Sequence, residues 1–347
     1  MRLLIYTQIM DRADPALGFF VPWVAELAKR TDGVDVVCLL KGEFELPEGV
    51  RVHSLGKERS RVSHFAARLL YVIRFYKLLI RIKGYDAVLI HMNEEYVLLG
   101  GLLWRLMGKR VYLWRNHYNG SWKTAVAVAL ANKVFCTSAY SYTARFKRVK
   151  FMPVGVNLDS LNPEISVTRV PRSILFLARM DPSKRPELLL AALHLLKKRE
   201  IGFTATFVGG PTEDSSTYPE EVAKLATTLG ISADVRFTGA VPNTETFRYY
   251  RSHEIFVNAS RSGMLDKTTF KAMAAGSLVL SSSLDLKREV SDEFYYADGN
   301  ATALASKLEH LLSLSESEKQ AFVEGCKEVV DRNTLPALMD RLVEEMQ

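Results

Sequence analysis

Short apolar runs recur along the first half of the chain at intervals that a helix can fill: Leu3 to Tyr6, Val34 to Leu40, Ala87 to His91, Arg110 to Trp114 and Val134 to Thr137. They are apolar throughout rather than at alternate positions, so the strands they form must be covered on both faces. That is the signature of a parallel sheet with helices on its two sides, a doubly wound α/β domain. The rhythm then breaks over Asn157 to Pro171, which has no period and carries Pro163 and Pro171, and this stretch reads as a linker. It resumes at Ile174 to Leu177, Phe203 to Val208, Val235 to Phe237, Ile255 to Val257 and Leu278 to Ser281. A chain of 347 residues has room for two such domains, each with its own core. Ligands of doubly wound domains bind beyond the carboxyl ends of the strands, so a cleft facing both sheets is the expected site.

With 48% hydrophobic and 24% charged residues the composition is that of a soluble globular protein. The net charge of +7 favours anionic partners without choosing among nucleotides, nucleic acid and an acidic membrane. Cys38, Cys136 and Cys326 are too scattered for a disulfide framework or a zinc site, and read as buried thiols of a reducing compartment. MRLLIYTQ reads as a first strand rather than a signal peptide. No run approaches the roughly 20 apolar residues that cross a bilayer. A cytoplasmic protein, or one attached to a membrane from its surface, is expected.

The stretch RSILFLARMDPSKRPELLLAA, Arg172 to Ala192, joins a buried strand to a helix that starts at Pro186. It places Arg179 and Lys184 in the loop between them. Two cations at the mouth of a helix N-terminus can hold a phosphate; as solvated loop charges they would do nothing. What favours the ligand is the sequel: FTATFVGGP from Phe203, VRFTGAVPNTETFRYY from Val235, and EIFVNASRSGMLDKTTFKAMAAGSLVLSSS from Glu254.

In this order and spacing the series resembles the C-terminal half of the retaining, glycogen-synthase-like "group 1" glycosyltransferases. The resemblance implies GT-B architecture: a first Rossmann-like domain over 1–165 on the acceptor side, a nucleotide-sugar-binding domain over 166–328, and a last helix over 329–347 that packs back on the first domain. Within 314–347, Ser315 and Glu318 form a capping box and Pro336 marks a new start. The resemblance also implies that Arg179 and Lys184 bind the donor diphosphate. Fixed cations there stabilise the leaving phosphate without a metal ion, and no Asp-x-Asp motif occurs in the chain. No cofactor is expected besides the nucleotide-diphospho sugar.

By the same resemblance, the loop DRADPALGFFVPW should meet the donor at Gly18, which is equally a turn glycine, and His117 in VYLWRNHYNG should contact sugar and phosphate. His91, ending a strand, is the other histidine candidate, and a structural histidine remains the alternative for both. Val241 and Pro242 should lie near the base. The family's Glu-(seven residues)-Glu pattern is altered here. Gly263 and Lys271 stand in the two carboxylate places, and Met264, Leu265 and Asp266, followed by Lys267, replace Gly-Phe-Gly. A subgroup of the family carries Gly and Asp-Lys at the first place. Lys271 has no such parallel, because an ammonium only donates and cannot accept two ribose hydroxyls. Ser262 to Thr268 are expected to line the donor pocket, their backbone N–H groups leading into the helix KAMAA.

Arg59 to Lys83 holds seven basic and no acidic residues among Phe65, Leu69, Ile73, Phe75, Leu79 and other apolar positions. As a helix it puts Arg74, Lys77 and Arg81 on one face, which suits either anionic lipid or a core helix with a solvated stripe. No nucleic-acid motif surrounds these charges, so nucleic acid is not an expected partner. The acceptor is expected to be a glycan or a lipid-linked molecule. Two other readings stay open: a catalytically silent relative that binds sugar or nucleotide or serves as a partner subunit, and a GT-B epimerase, which would carry more acidic and histidine residues.

Overall fold

In the computed structural model, the structure describes residues 1–14, 16–59, 64–212, 215–263 and 265–347. The chain forms two compact units, one of Met1–Pro153 with Leu335–Gln347 and one of Val154–Thr334.

The first unit runs β1 (Arg2–Met10), α1 (Phe20–Ala28), β2 (Gly33–Lys41), β3 (Arg51–Ser54), α2 (His64–Arg81), β4 (Ala87–His91), α3 (Glu94–Leu106), β5 (Arg110–Trp114), α4 (Trp122–Leu130), β6 (Lys133–Cys136) and β7 (Val149–Phe151). Its sheet has seven parallel strands in the order β3-β2-β1-β4-β5-β6-β7. Every residue of β4 is buried, as its uninterrupted apolar run requires. β3 and β7 are the two strands not anticipated above. They are short edge strands carrying Arg51, His53 and Lys150, and a strand with one solvated side lacks the all-apolar signal.

The second unit runs β8 (Val170–Leu177), α5 (Pro186–Lys198), β9 (Thr204–Val208), α6 (Tyr218–Thr228), β10 (Val235–Gly239), α7 (Thr246–Ser252), β11 (His253–Asn258), α8 (Lys267–Ala274), β12 (Leu278–Ser281), α9 (Leu284–Glu289), α10 (Ala301–Ser313), α11 (Glu316–Gly325) and α12 (Lys327–Arg332). Its five parallel strands are ordered β10-β9-β8-β11-β12. The order reverses between β8 and β11, and the loops that leave these two strands flank the crevice where doubly wound sheets bind ligands.

The boundary read at 165 lies inside the second unit, because Val154, Val156 and Leu161 are buried in that unit's core. Asn333 fastens this entering segment. Its backbone carbonyl accepts from Gly155 and Val156 at 3.0 and 2.9 Å, and its side chain accepts from the Val154 N–H at 2.9 Å.

The remaining helix, α13 (Leu335–Met346), belongs to the first unit. Leu335, Leu338, Met339, Leu342 and Met346 are buried with Trp23, Val24 and Leu27 of α1. The Tyr112 hydroxyl donates to the Met346 carbonyl at 2.8 Å, and Lys133 donates to the Glu345 carbonyl at 2.6 Å. The capping box of Ser315 and Glu318 starts α11.

α2 carries the basic stretch. Phe75 and Leu79 are buried against the sheet, while Lys77 and Arg81 face outward. Arg74 does not share their solvated face: its guanidinium donates to the Leu55 carbonyl at 2.6 Å. Residues 60–63 of that stretch lie outside the described residues.

Candidate functional site

β8 ends in the loop that holds Arg179 and Lys184, and this loop is shaped by its neighbours. Gly209, at φ +146°, passes so close that a Cβ on it would lie 1.8 Å from the Ala178 carbonyl oxygen. Met180 N–H donates to the Gly210 carbonyl at 2.8 Å, so the two loops are laced together. Asp181 folds the turn by accepting from the Ser183 N–H at 2.9 Å, an Asx turn legible in the Asp-Pro-Ser motif. Arg179 is left exposed, 3.7 Å from the Asp181 carboxylate. Arg185 takes a left-handed conformation at φ 52° and donates to the Ala259 carbonyl at 2.7 Å, which ties this loop to the one after β11.

Lys184 is not a free cation. Its side chain is 9% exposed and its ammonium lies 2.8 Å from both oxygens of Asp266. Ser260 Oγ and Asn258 Nδ2 also donate to that carboxylate, at 2.6 and 2.8 Å. Burial alone would raise the Asp266 carboxyl, but the Lys184 charge and these hydrogen bonds hold it below its ordinary 3.8. Asp266 occupies the N-cap position of α8 yet caps nothing with its side chain, because that carboxylate is turned to Lys184. The first N–H groups of α8 are therefore without a side-chain acceptor from the N-cap residue.

The rest of the loop is fixed from behind. Gly263, at φ 102°, donates its N–H to Asp285 at 2.9 Å, and Ser262 Oγ accepts from the Leu284 N–H at 2.8 Å. Leu265 and Thr268 are half-buried beside them, whereas Met264 lies outside the described residues. Lys267 opens α8 and donates to the Gly155 carbonyl at 3.2 Å. Lys271 follows one turn later, half-buried, and its ammonium makes no hydrogen bond or ion pair with another described residue. Burial, and after it the neighbouring Lys271 ammonium, pushes Lys267 well below its ordinary 10.5. Burial brings Lys271 down to about 8. Val241, half-buried, and Pro242, exposed, follow β10 on the same carboxyl-end side of the sheet. Among the described residues, no group of three or more His, Cys, Asp and Glu side chains could hold a metal ion.

In the first unit, His117 lies in the loop after β5, half-buried and stacked on Tyr118. Its Nδ1 accepts from the Asn119 N–H at 2.9 Å, which puts the ring proton on Nε2. Burial, with a smaller push from the Arg115 charge, holds the ring below its ordinary 6.5, which favours the neutral form. Arg115, His117, Asn119, Gly120 and Ser121 line an open depression of about 370 Å³. Arg115 is held there by Glu94, 2.8 Å away at the start of α3. His91 is 2% exposed, stacked on Phe20 with ring centroids 4.0 Å apart, and within 3.2 Å of Thr7 Oγ1. It packs the core. Gly18 is required by its own turn, since a Cβ would meet the carbonyl oxygens of Arg12 and Asp14 at 2.6 Å.

Of the residues expected at the donor site, the second unit brings the 179–184 and 258–266 loops together, through Lys184 and Asp266. Sequence reasoning missed Asn258, Ser260 and Asp285, the buried partners that hold the loop. Asn258 and Ser260 flank the end of a strand, where a buried polar residue is the one available signal.

The chain matches the family described as "Glycosyl transferase 4-like" over residues 13–121 and "Glycosyl transferases group 1" over residues 171–314. Residues 171–314 thus carry a group 1 glycosyltransferase domain. The second match begins within β8 and takes in the loops that hold Arg179, Lys184 and Ser262 to Lys271. Relatives of the chain include the D-inositol 3-phosphate glycosyltransferase of Frankia alni, 32% identical over 164 residues, covering 44% of this chain and 40% of that protein. The one from Streptomyces avermitilis is 30% identical over 156 residues, covering 41% and 34%. The chain thus spans less than half the length of the curated relatives it matches.

Among solved structures, the sucrose-phosphate synthase of Thermosynechococcus elongatus superposes with a TM-score of 0.80 at 16% identity, over 99% of this chain and 98% of that one. Anabaena HepE, solved with UDP and glucose, gives 0.75 at 17% identity over 99% and 98%. These similarities establish the fold, GT-B, with its two Rossmann-like domains.

Proposed function

We propose that this chain is a metal-independent, retaining glycosyltransferase that moves a sugar from a nucleotide-diphospho sugar to a hydroxyl acceptor in glycan or glycolipid synthesis. The observation that carries the reading is the loop at the β8–β11 switch point. There, exposed Arg179, fixed Lys184 and the first turn of α8 offer positive charge and N–H groups to one diphosphate. HepE was solved with UDP, so uracil is the first base to test. The relatives' name indicates a phosphorylated polyol as one acceptor class, beside a glycan or a lipid-linked acceptor reached from the cytoplasmic side.

In this mechanism the acceptor hydroxyl attacks from the side that the phosphate leaves. The departing phosphate takes the hydroxyl proton, and the new glycosidic bond forms as the sugar–phosphate bond breaks. Arg179 and Lys184 stabilise the charge left on the diphosphate. Neutral His117 donates Nε2–H to a sugar hydroxyl or phosphate oxygen, and Val241 and Pro242 flank the base. The chain supplies placement and charge more than a base.

Two points favour a second reading, a binding protein without turnover: Asp266 already neutralises Lys184, and Lys271 stands where the family resemblance puts a ribose-binding carboxylate. Thermal unfolding with a panel of nucleoside diphosphates and nucleotide sugars separates the two. A ligand at 100 times its Kd stabilises the fold by about 2.7 kcal/mol. The enzyme reading expects one base to raise Tm, Arg179→Ala to abolish the rise, and the matching sugar donor to be consumed. If no nucleotide shifts Tm and no donor is consumed, the transferase reading is wrong.

A further inference from the structure

The charge of this chain is unevenly spread. Residues 59–158 contain seventeen basic and three acidic residues, although the whole chain carries only +7. The three acids are Asp86, Glu94 and Glu95, and from Tyr96 to Leu158 there is none.

This segment builds α2, α3 and α4, which lie side by side over one face of the first sheet. The Tyr76 hydroxyl of α2 donates to the Leu99 carbonyl of α3 at 3.1 Å, and Arg105 of α3 donates to the Ala129 carbonyl of α4 at 3.3 Å. Their inner sides supply Phe75, Trp104 and Val128 to the core. The outer sides ought to be polar, yet they expose Leu69 and Ile73 at 56%, Ile80 at 65%, Leu102 at 61%, Leu106 at 76% and Trp122 at 71%. Exposed single leucines are ordinary, but large apolar residues repeated on three adjacent helices mark a contact surface. The cations Lys77, Arg81, Arg105 and Lys123 are exposed on the same helices.

We propose that the outer face of α2, α3 and α4 docks on a bilayer rich in anionic lipid. The aliphatic side chains and Trp122 enter the headgroup boundary, and the cations pair with lipid phosphates. A second copy of the chain would set two strongly positive faces against each other. Nucleic acid would satisfy the cations but leave the apolar residues in water. No helix among the described residues is long and apolar enough to cross a membrane, so the contact is one of surface. The surface is wider than the basic helix alone, because α3 and α4 contribute half of its apolar residues.

Docking on a bilayer is separate from the transfer reaction and is measured without it. The purified chain is sedimented, with no sugar donor present, with vesicles of phosphatidylglycerol mixed into phosphatidylcholine and with phosphatidylcholine alone. Two variants run alongside, Leu102→Ser with Leu106→Ser, and Lys77→Glu with Arg81→Glu, all at exposed positions that leave the core intact. We expect binding to the anionic vesicles, at least about tenfold weaker on neutral ones, and a loss of at least about tenfold in each variant. High salt should weaken binding. Equal binding to neutral vesicles, no binding to either, or variants that bind as the wild type would overturn the proposal. So would a concentration-dependent dimer that the leucine variant abolishes, which would give the face to a second copy.

Discussion

Asp266→Asn removes one charge and almost no volume from the centre of the candidate donor site. In the wild type the Lys184 ammonium, 9% exposed, faces two carboxylate oxygens at 2.8 Å, and Asp266 itself is 18% exposed. Taking one partner from a buried ion pair costs about 3–5 kcal/mol. The amide still accepts from Ser260, and Lys184 keeps its 3.1 Å bond to that hydroxyl, which places the expected loss near about 3 kcal/mol. Urea unfolding at pH 7 measures it. Because the folded carboxyl is held below its ordinary 3.8, its contribution is complete above that value and is lost as pH falls through the lower, folded one. Wild type and variant should therefore converge on acidification below about pH 4. Adding Lys184→Met should recover part of the loss, so that the double variant loses less than the sum of the two single ones. A loss under about 1 kcal/mol, or a difference unchanged at low pH, would show that the pair is not what holds this loop.

Two further outcomes are expected. With Lys271 brought down to about 8 from 10.5, the unfolded chain binds more protons than the folded one between these values, so stability should rise with pH across that window; Lys271→Met should flatten the rise in Tm measured from pH 7 to pH 10. Gly209→Ala forces a Cβ to within 1.8 Å of the Ala178 carbonyl and must displace the Arg179 loop, so it should cost at least about 2 kcal/mol in unfolding and weaken nucleotide binding in calorimetry with every cation of the site retained.

The doubly wound strands were legible because burial on both faces writes an all-apolar run, as at Ala87 to His91, which became β4 without change. The edge strands β3 and β7 were not, since one solvated side leaves Arg51 and Lys150 in the pattern. At the site, position in the chain was readable and partnership was not. Arg179 and Lys184 both read as cations for a phosphate, but only tertiary packing could show that one is exposed and the other neutralised by Asp266, 82 residues on. Likewise a basic helix read in isolation put Arg74 in its solvated stripe, whereas a carbonyl from the loop after β3 claims it.

The return of α13 to the first unit has a consequence for synthesis. Chains emerge N-terminus first, and domains fold as units when they are complete. Here the seven-stranded sheet is translated before any of the second unit, yet the apolar faces of Trp23, Val24 and Leu27 stay uncovered until Leu335–Met346 has been made. The unit encoded in the middle can finish first, so the half that begins the chain is the half that waits.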